Sequence, residues 1–466
     1  MQLGDIFDDL TLDVVTAGIE VTRVDSDSRS CEPGSLFFAL PGRLSDGAQY
    51  ARDAVAHGAM CVVASELIDG IVVPVLVAPA TQLHDLCTHA SAAVTRHPEH
   101  STQLVGVTGT NGKTTVSTLV AEVARFVGWN GSNIGTLTNE RTTPASPELF
   151  RTLASLVERF DPTLARSVVA MEVSSHALDQ RRIDGVTFEV AAFTNLSHDH
   201  LDYHGTMEEY FGAKARLFTP SFARRAVIWT DDPFGARLAA MVELPLTRVT
   251  RADADEVVAS LRGTTYFWRG HVVNTPIIGD YNIDNALMAM AIMSDLGADE
   301  VDIAHAMSDV AAVPGRFELV SSTPFTVIVD YAHTPAGLAR LLNDVRALMR
   351  GGRLITVFGC GGDRDREKRP EMGAIASRTS DITIVTSDNP RSESPDAIID
   401  AIMTGVAPDA SVERLSERRL AIARAFEWAT SGDVVVLAGK GHETTQTIGN
   451  DVLVFDDRAV ARELLK

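Results

Sequence analysis

Short apolar runs recur along the chain and alternate with longer stretches whose composition is typical of helices. This alternation indicates parallel sheets with right-handed helical crossovers, so we predict an α/β fold. The predicted strands are Ser35–Leu40, Cys61–Ala64, Val73–Ala78, Ser167–Val173, Val190–Thr194, Ala226–Thr230, Phe325–Val329, Leu354–Phe358, Ile382–Thr386 and Val434–Ala438. The predicted helices include Ala51–Ala59, Thr81–Thr95 and Val116–Val127.

The length of 466 residues exceeds what one hydrophobic core usually holds, since a domain takes roughly 100–200 residues. The polar segment Arg96–Ser101 has the composition of a linker, and Pro314-Gly315 marks a second boundary. We therefore predict three domains: an N-terminal α/β domain (residues 1–102), a central domain with a mostly parallel sheet (103–313) and a C-terminal, Rossmann-like doubly wound domain (314–466).

The net charge of −21 opposes binding to nucleic acid or to an anionic membrane, so any phosphate site must be local. The N-terminus has no basic and apolar signal segment, and no apolar run approaches the ~20 residues of a membrane span. The four cysteines form no C-x-x-C pair, which favours reduced core thiols. We expect a cytoplasmic protein without a nucleic-acid or membrane partner.

A phosphate-binding loop is the strongest chemical signal. The apolar run that begins at Leu104 passes into Gly109-Thr110-Asn111-Gly112-Lys113-Thr114-Thr115 and then into a helix. Backbone N–H groups and the helix N-terminus would bind a triphosphate, while Lys113 reaches its β/γ oxygens and Thr114 ligates Mg²⁺. The strict pattern has glycine where this chain has Val107, and an ordinary strand-to-helix turn is the alternative.

Polar clusters follow two strands of the central block. Glu172, Ser174, Ser175 and His176 follow one strand, and residues 194–204, rich in histidine and aspartate, follow the next. Carboxylates at a strand end beside a phosphate loop suit Mg²⁺, and the spacing does not match a zinc site. The alternative is a solvated loop.

Three strands of the C-terminal block also end in chemically suggestive turns. They are Gly359-Cys360-Gly361-Gly362-Asp363-Arg364, Ser387-Asp388-Asn389-Pro390-Arg391 and Gly439-Lys440-Gly441-His442-Glu443. An arginine fixed on an Asn-Pro turn can bind a carboxylate with two parallel hydrogen bonds, and Glu443 could meet a cation. Each turn alone could be a surface turn, but three on one sheet edge favour a pocket.

These motifs together resemble the Mur ligases, which extend the peptide stem of bacterial cell-wall precursors. The resemblance covers essentially the whole chain and is greatest to the MurE type, which adds the third amino acid. It rests on Asp27-Ser28-Arg29, Gly34-Ser35-Leu36-Phe37, Gly109–Thr114, Glu172-Val173-Ser174-Ser175-His176, Asn195–Asp202, Tyr331-Ala332-His333-Thr334-Pro335 and Gly439–Glu443.

The resemblance implies roles for particular residues. The uridine-nucleotide and muramoyl-dipeptide substrate would be bound by Ser28, Thr142, Thr143, Ser174, Gln180 and Arg182. ATP would be bound by Gly109, Thr110, Asn111, Gly112, Lys113, Thr114, Thr115, Asn282, Asn285, Arg316 and Asp330. The catalytic residues would be Lys113, Glu172, His200 and Lys214, with Mg²⁺ held by Thr114, Glu172, His200 and a CO₂-derived carbamate on Lys214.

The third amino acid is implied to be meso-diaminopimelate, because Asp388-Asn389-Pro390-Arg391 matches the form seen in enzymes that add it. Its site would include Arg364, Asp388, Asn389, Pro390, Arg391, Gly439 and Glu443. Its second carboxylate suits Arg391, and its distal ammonium suits Glu443.

The implied reaction is ATP-dependent amide formation through an acyl phosphate, in peptidoglycan precursor synthesis, by an enzyme expected to be a monomer. The alternatives are the same ligation with L-lysine or another diamino acid, a folylpolyglutamate or cyanophycin type of ligase, and a nucleotide-binding switch. The folylpolyglutamate and cyanophycin types lack the N-terminal block.

Overall fold

A four-stranded parallel sheet forms the beginning of the chain in this computed structural model, which describes residues 1–7, 13–42, 46–139 and 141–466. Its strands are β1 (Arg23–Asp25), β2 (Ser35–Phe38), β3 (Ala59–Ala64) and β4 (Val75–Val77), in that spatial order. The accompanying helices are α1 (Leu3–Ile6), α2 (Val14–Ala17), α3 (Ala51–Ala56) and α4 (Leu83–Val94). Leu36 and Phe38 pack into the core on one face and Phe37 into the core on the other, so both faces are covered.

The second sheet has six parallel strands in the order β10-β9-β8-β5-β7-β6. They are β5 (Gln103–Thr108), β6 (Asn130–Ile134), β7 (Ser167–Glu172), β8 (Phe188–Phe193), β9 (Ala223–Trp229) and β10 (Leu246–Val249). The connecting helices are α5 (Lys113–Phe126), α6 (Ser146–Arg159), α7 (Ser175–Asp179), α8 (Leu201–His204), α9 (Met207–Ala215) and α10 (Pro233–Met241). Because β5 is central, the loop after it lies between the ends of β7 and β8.

A small antiparallel sheet follows, with β11 (Asp255–Ser260), β12 (Gly263–Trp268) and β13 (His271–Thr275). The helices α11 (Asp280–Asp295) and α12 (Glu300–Asp309) come next. The strand β12 alternates buried and exposed residues, with Tyr266 and Trp268 in the core.

The last large sheet has six strands in the order β14-β15-β19-β16-β17-β18, parallel except for β14. They are β14 (Glu318–Ser321), β15 (Thr326–Asp330), β16 (Leu354–Phe358), β17 (Ile382–Thr386), β18 (Val412–Leu415) and β19 (Val434–Ala438). A hairpin of β20 (Thr445–Ile448) and β21 (Asp451–Val454) follows β19. The helices are α13 (Pro335–Leu348), α14 (Lys368–Thr379), α15 (Pro395–Met403), α16 (Arg418–Trp428) and α17 (Asp457–Leu464).

The chain divides into two compact units. The first comprises Met1–Leu196, His204–Thr250 and Met288–Ala298, and the second comprises Ser197–Tyr203, Arg251–Leu287 and Asp299–Lys466. The α/β fold with mostly parallel sheets is confirmed. The domain boundaries near residues 102 and 313 stay a prediction.

The segment expected to be a linker contains a 3₁₀ turn, Pro98–Ser101.

All four cysteines are buried free thiols, and burial raises the pKa of Cys31, Cys61 and Cys360 to about 12. Among the helices of the described ranges, none combines the length and apolar character that a membrane span requires.

Candidate functional site

The loop between β5 and α5 has the geometry of a phosphate-binding loop. Gly109 and Gly112 have φ angles of +149° and +86°, which glycine adopts at low cost. A Cβ on Gly109 would lie 1.9 Å from the Thr194 Oγ1, so only glycine fits there. The Lys113 Nζ donates to the carbonyls of Gly109 and Thr110, both at 2.9 Å, which holds the ammonium over the loop.

The end of β8 supports this loop from the side. The Thr110 N–H donates to the Asn195 carbonyl at 2.9 Å, and the Asn111 N–H donates to the Asn195 side chain at 3.0 Å. The Thr194 hydroxyl donates to the Asn111 carbonyl at 2.6 Å. These contacts fix the loop before any ligand arrives, and no sequence pattern indicated the role of Thr194.

Glu172, at the end of β7, is buried beside the start of α5. Its Oε2 accepts from the Thr114 hydroxyl at 3.0 Å, and its Oε1 accepts from the Thr136 N–H at 2.8 Å. The pair of Glu172 and Thr114 therefore offers oxygen donors at the phosphate loop. Such a donor set fits Mg²⁺, which prefers hard oxygen ligands.

Lys214 is 1% exposed and lies against the same loop. Its Nζ donates to the Gly109 carbonyl at 2.8 Å and to the Thr108 Oγ1 at 3.4 Å, and it lies 4.8 Å from the centre of the Tyr210 ring. A lysine on a helix is usually solvated, so spacing in the sequence gave no signal for this position. Its burial beside the loop is what distinguishes it.

His200 belongs to the second unit, within Ser197–Tyr203. It has a φ of +55°, its backbone N–H donates to the Asp199 Oδ1 at 2.9 Å, and its ring lies 3.6 Å from the Asp199 Oδ2. A non-glycine residue in this backbone region costs energy and occurs preferentially at functional sites.

Four of the residues assigned to the muramoyl-dipeptide form one cluster beside Glu172. The Thr143 Oγ1 donates to the Glu172 carbonyl at 2.9 Å and lies 3.2 Å from the Ser174 Oγ. The Arg182 guanidinium donates to the Thr143 carbonyl at 3.3 Å and to the Gln180 side chain at 2.6 Å.

The other two assigned residues lie at different places. The Thr142 Oγ1 lies 3.3 Å from the Thr136 Oγ1, so Thr142 is tied to a residue that contacts Glu172. Ser28 is buried in the turn after β1, preceded by Asp27, whose carboxylate pairs with Arg29 at 2.6 Å.

The second unit holds the remaining residues assigned to ATP. Asp330, at the end of β15, is buried and accepts from the Tyr281 hydroxyl at 2.9 Å, the Phe317 N–H at 2.7 Å and the Ala332 N–H at 2.7 Å. Burial raises the pKa of Asp330 and outweighs the lowering effect of Arg316. The Arg316 guanidinium lies 4.4 Å from the centre of the Tyr331 ring.

Asn282 and Asn285 lie one turn apart near the start of α11, and both are buried. The Asn285 Nδ2 donates to the Asn282 Oδ1 at 3.4 Å, and the Asn282 Nδ2 donates to the Ile278 carbonyl at 3.0 Å.

The loop after β17 joins the hairpin at the carboxyl edge of the last sheet. Asn389 donates to the Glu443 carboxylate at 2.7 Å and accepts from the Thr447 N–H at 3.0 Å. Arg391 has a φ of +50°; its N–H donates to the Thr447 carbonyl at 3.0 Å, and its guanidinium donates to the Gly362 carbonyl at 2.8 Å. The chain thus holds the arginine on the turn between two loops, as the Asn-Pro motif predicted.

The loop after β16 lies against the same turn. The Gly362 N–H donates to the Asn389 carbonyl at 2.9 Å, and the Asp363 carboxylate accepts from the Ser392 hydroxyl at 2.6 Å. Pro390 accepts from the Glu393 N–H at 3.0 Å, while Arg364 is exposed. The two turns are therefore one structural element, although Arg364 projects from it.

Lys440 lies in a turn that the sequence indicated, but the sequence assigned it no role. It is fully buried, and its Nζ donates to the Glu443 carboxylate at 3.0 Å and to the Thr445 carbonyl at 2.7 Å. It also lies 3.8 Å from the Asp388 Oδ1, and burial raises the pKa of Asp388. A Cβ on Gly439 would lie in ordinary van der Waals contact with the other oxygen of Asp388, at 3.5 Å.

Three models of one protein family match the chain. They are described as Mur ligase family, catalytic domain (residues 20–101), Mur ligase middle domain (residues 107–293) and Mur ligase, glutamate ligase domain (residues 315–441).

Individual relatives agree with these models. A protein of Gloeobacter violaceus named UDP-N-acetylmuramoyl-L-alanyl-D-glutamate–2,6-diaminopimelate ligase is 43% identical over 467 residues, covering 96% of this chain and 94% of its own. A protein of the same name from Geobacillus kaustophilus is 41% identical over 477 residues, covering 96% and 95%. A solved structure of a ligase with that name is 30% identical, with a TM-score of 0.68 and coverage of 100% and 98%. The chain is therefore an enzyme of the Mur ligase family.

Proposed function

We propose that this enzyme joins 2,6-diaminopimelate to UDP-N-acetylmuramoyl-L-alanyl-D-glutamate, with ATP as the energy source, in the synthesis of peptidoglycan precursors. The observation that carries the proposal is the identity of about 40% with ligases of that name along nearly the whole chain. The intact Asp388–Arg391 turn supports the choice of amino acid.

The reaction takes two steps. The terminal phosphoryl group of ATP passes to the free carboxylate of the D-glutamate, which gives ADP and an acyl phosphate. The amine of the incoming amino acid then attacks the acyl carbon and phosphate leaves, so an amide forms. No protein nucleophile is needed, and catalysis consists of positioning and of neutralising charge on the transferred group.

Residues of the phosphate loop, Gly109 to Thr115, bind the triphosphate through backbone N–H groups, and Lys113 neutralises its terminal oxygens. The proposed ATP site also includes Asn282, Asn285, Arg316 and Asp330. Replacing Lys113 with alanine tests this assignment.

Mg²⁺ would be held by Thr114, Glu172, His200 and a carbamate on Lys214. When bound, the metal neutralises phosphate charge. Two observations support this set of Mg²⁺ ligands: the hydrogen bond between Thr114 and Glu172, and the burial of Lys214 beside Gly109. If Lys214 carries a carbamate, ligase activity should fall in CO₂-depleted buffer and return when bicarbonate is added. Equal activity in both buffers would exclude the carbamate.

The dipeptide end of the nucleotide substrate is assigned to Thr142, Thr143, Ser174, Gln180 and Arg182. The hydroxyls and the guanidinium of this cluster would bind the peptide carboxylates close to Glu172. Ser28 is assigned to the uridine nucleotide.

Diaminopimelate is assigned to the loops after β16, β17 and β19. Arg391 would bind the distal carboxylate through its planar guanidinium, assisted by Arg364. Glu443 would face the distal ammonium, with Asp388, Asn389, Pro390 and Gly439 shaping the site.

The proposed division of labour follows the predicted domains. Residues 1–102 bind the uridine nucleotide and residues 103–313 bind most of the ATP and the dipeptide end. Residues 314–466 bind the amino acid and contribute Arg316 and Asp330 to the ATP site. We further propose that the enzyme acts as a monomer in the cytoplasm, and size-exclusion chromatography with light scattering tests the oligomeric state.

The decisive experiment is amino-acid-dependent phosphate release with the UDP-linked dipeptide and each candidate amine. We expect turnover with meso-diaminopimelate and a much lower kcat/KM with L-lysine. A preference for L-lysine in direct competition would overturn the amino-acid assignment and leave the ligase assignment intact. Absence of any ATP consumption with both substrates present would overturn the ligase assignment itself.

A further inference from the structure

The segment between α4 and β5 has a folded shape that its polar composition did not predict. Arg96 and His97 have consecutive φ angles of +62° and +54°, and the chain then forms the 3₁₀ turn Pro98–Ser101. Two successive left-handed residues that are not glycine are costly, so the rest of the turn must stabilise them. The turn brings the rings of His97 and His100 into parallel stacking, with centroids 5.1 Å apart and planes 7° apart.

Glu99 places its carboxylate against both rings. Its Oε1 is hydrogen-bonded to the His97 Nδ1 at 2.9 Å and lies 3.7 Å from the His100 Nε2. One potential ligand atom from each of the three residues lies within 4.8 Å of the others. A tetrahedral ion with bonds of ~2.0–2.2 Å needs ligand atoms ~3.3–3.6 Å apart. The ligand atoms are close enough for this, and one imidazole ring has to turn out of the parallel stack so that both lone pairs point at the ion.

A second observation concerns the other oxygen of Glu99. Its Oε2 is buried and has no hydrogen-bond partner among the residues that the structure describes. A buried carboxylate oxygen without compensation is unfavourable, and a cation bound to the same carboxylate supplies the missing compensation.

Both histidines can supply a lone pair to the same ion, because a neutral imidazole carries one unprotonated ring nitrogen. The pattern resembles a site with three protein ligands and one position left for water.

We propose that His97, Glu99 and His100 bind a divalent transition metal ion, with Zn²⁺ as the ion that fits the donor set. Two imidazole nitrogens and one carboxylate favour Zn²⁺ over Mg²⁺, which prefers oxygen ligands. Bound metal would lock the left-handed turn that leads into β5. The site does not include any residue assigned above to ATP, to the dipeptide or to the amino acid.

The test is equilibrium dialysis of the metal-free full-length enzyme against Zn²⁺, with excess Mg²⁺ present to occupy the oxygen-rich site. We compare the wild type with His97→Ala, Glu99→Gln, His100→Ala and the control His305→Ala, which removes an exposed histidine from α12. We expect the affinity for one Zn²⁺ per chain to fall at least ~10-fold in each of the three site variants and to remain unchanged in the control.

His100→Ala keeps the test valid, because the His100 side chain is 75% exposed and its removal does not endanger folding. Co²⁺ gives a second readout, since a tetrahedral nitrogen and oxygen site absorbs visible light intensely and an octahedral one only weakly. Equal Zn²⁺ binding by the wild type and His100→Ala, or the same Co²⁺ spectrum in both, would overturn the proposal. Because the binding assay needs no turnover, its outcome is independent of the ligase assignment.

Discussion

Gly135 lies directly against the Glu172 carboxylate, so Gly135→Ala tests the proposal that this carboxylate holds Mg²⁺. A Cβ on Gly135 would lie 2.1 Å from the Glu172 Oε1 and 2.7 Å from both Cδ and Cγ. Gly135 is not among the residues with positive φ, so alanine meets no backbone penalty there. The substitution therefore acts on Glu172 and leaves the surrounding chain conformation accessible.

The size of the effect follows from the overlap. Cβ atoms do not approach other heavy atoms closer than 3.0 Å, so the carboxylate has to withdraw by roughly 1 Å from a contact of 2.1 Å. This movement breaks the hydrogen bonds to Thr136 and Thr114, at 2.8 and 3.0 Å. Because a misplacement of ~1 Å at a reacting centre costs about 100-fold in rate, we expect kcat to fall by about that factor.

The assay is diaminopimelate-dependent phosphate release measured over a range of Mg²⁺ concentrations. We expect Gly135→Ala to need more Mg²⁺ for half-maximal activity, with an unchanged KM for diaminopimelate. The matched control is Gly212→Ala, since a Cβ on Gly212 would have none of the described residues within 4 Å. Wild-type turnover of Gly135→Ala at limiting Mg²⁺ would refute the role of Glu172 as a metal ligand.

Three further predictions use other parts of the molecule. Lys113→Ala should slow ligation strongly, because the transition state loses several kcal/mol of stabilisation. Near-normal turnover in the phosphate-release assay would contradict the loop assignment. Arg391→Ala should raise the KM for diaminopimelate about 10- to 150-fold, because a charge-assisted contact is worth ~1.5–3 kcal/mol. The control in the same kinetics is Arg378→Ala, which removes an exposed arginine. An equal rise in the KM for ATP would contradict the assignment of Arg391. Burial lowers the pKa of His442 to about 4, so below pH 6.5 the unfolded chain binds a proton that the folded chain excludes, and the free energy of unfolding decreases as the pH falls from about 6.5 towards 4. The free energy of unfolding of His442→Gln, measured in urea, should depend less on pH in that window. The same pH dependence in the variant and the wild type would refute this.

The fold was largely predictable where strands are buried on both faces. The predicted strands Leu354–Phe358, Ile382–Thr386 and Val434–Ala438 agree with β16, β17 and β19 at both ends. Interior strands of a parallel sheet are nearly continuous apolar runs, and such runs are easily recognised. The edge strand β6 and the antiparallel strands β11 to β13 were not predicted, because polar residues interrupt their apolar pattern.

The sequence motifs indicated which residue types to expect at the site, and those assignments stay predictions; the geometry of the site was not predictable. The motifs indicated Glu172, Arg391 and Glu443, because carboxylates and arginines at strand ends are chemically conspicuous. The hydrogen bonds of Lys440 join positions that only the folded loops bring together. The burial of Lys214 depends on its position beside Thr108 and Gly109, which are more than 100 residues earlier in the chain, so no local pattern encodes it.

The network around Lys440 bears on how the site would distinguish amino acids. The Lys440 ammonium and the Asn389 amide both donate to the Glu443 Oε2, at 3.0 and 2.7 Å, so this carboxylate is already partly neutralised. A ligand ammonium would have to share Glu443 with a fixed cation, which weakens its attraction. Arg391, in contrast, has one side-chain hydrogen bond in the described structure, to the Gly362 carbonyl. Its remaining N–H groups can bind a carboxylate, so recognition of the distal carboxylate through Arg391 should dominate over recognition of the distal amine. Selection of diaminopimelate over lysine would then follow from that asymmetry, because the two amino acids share the distal amine and differ in the carboxylate.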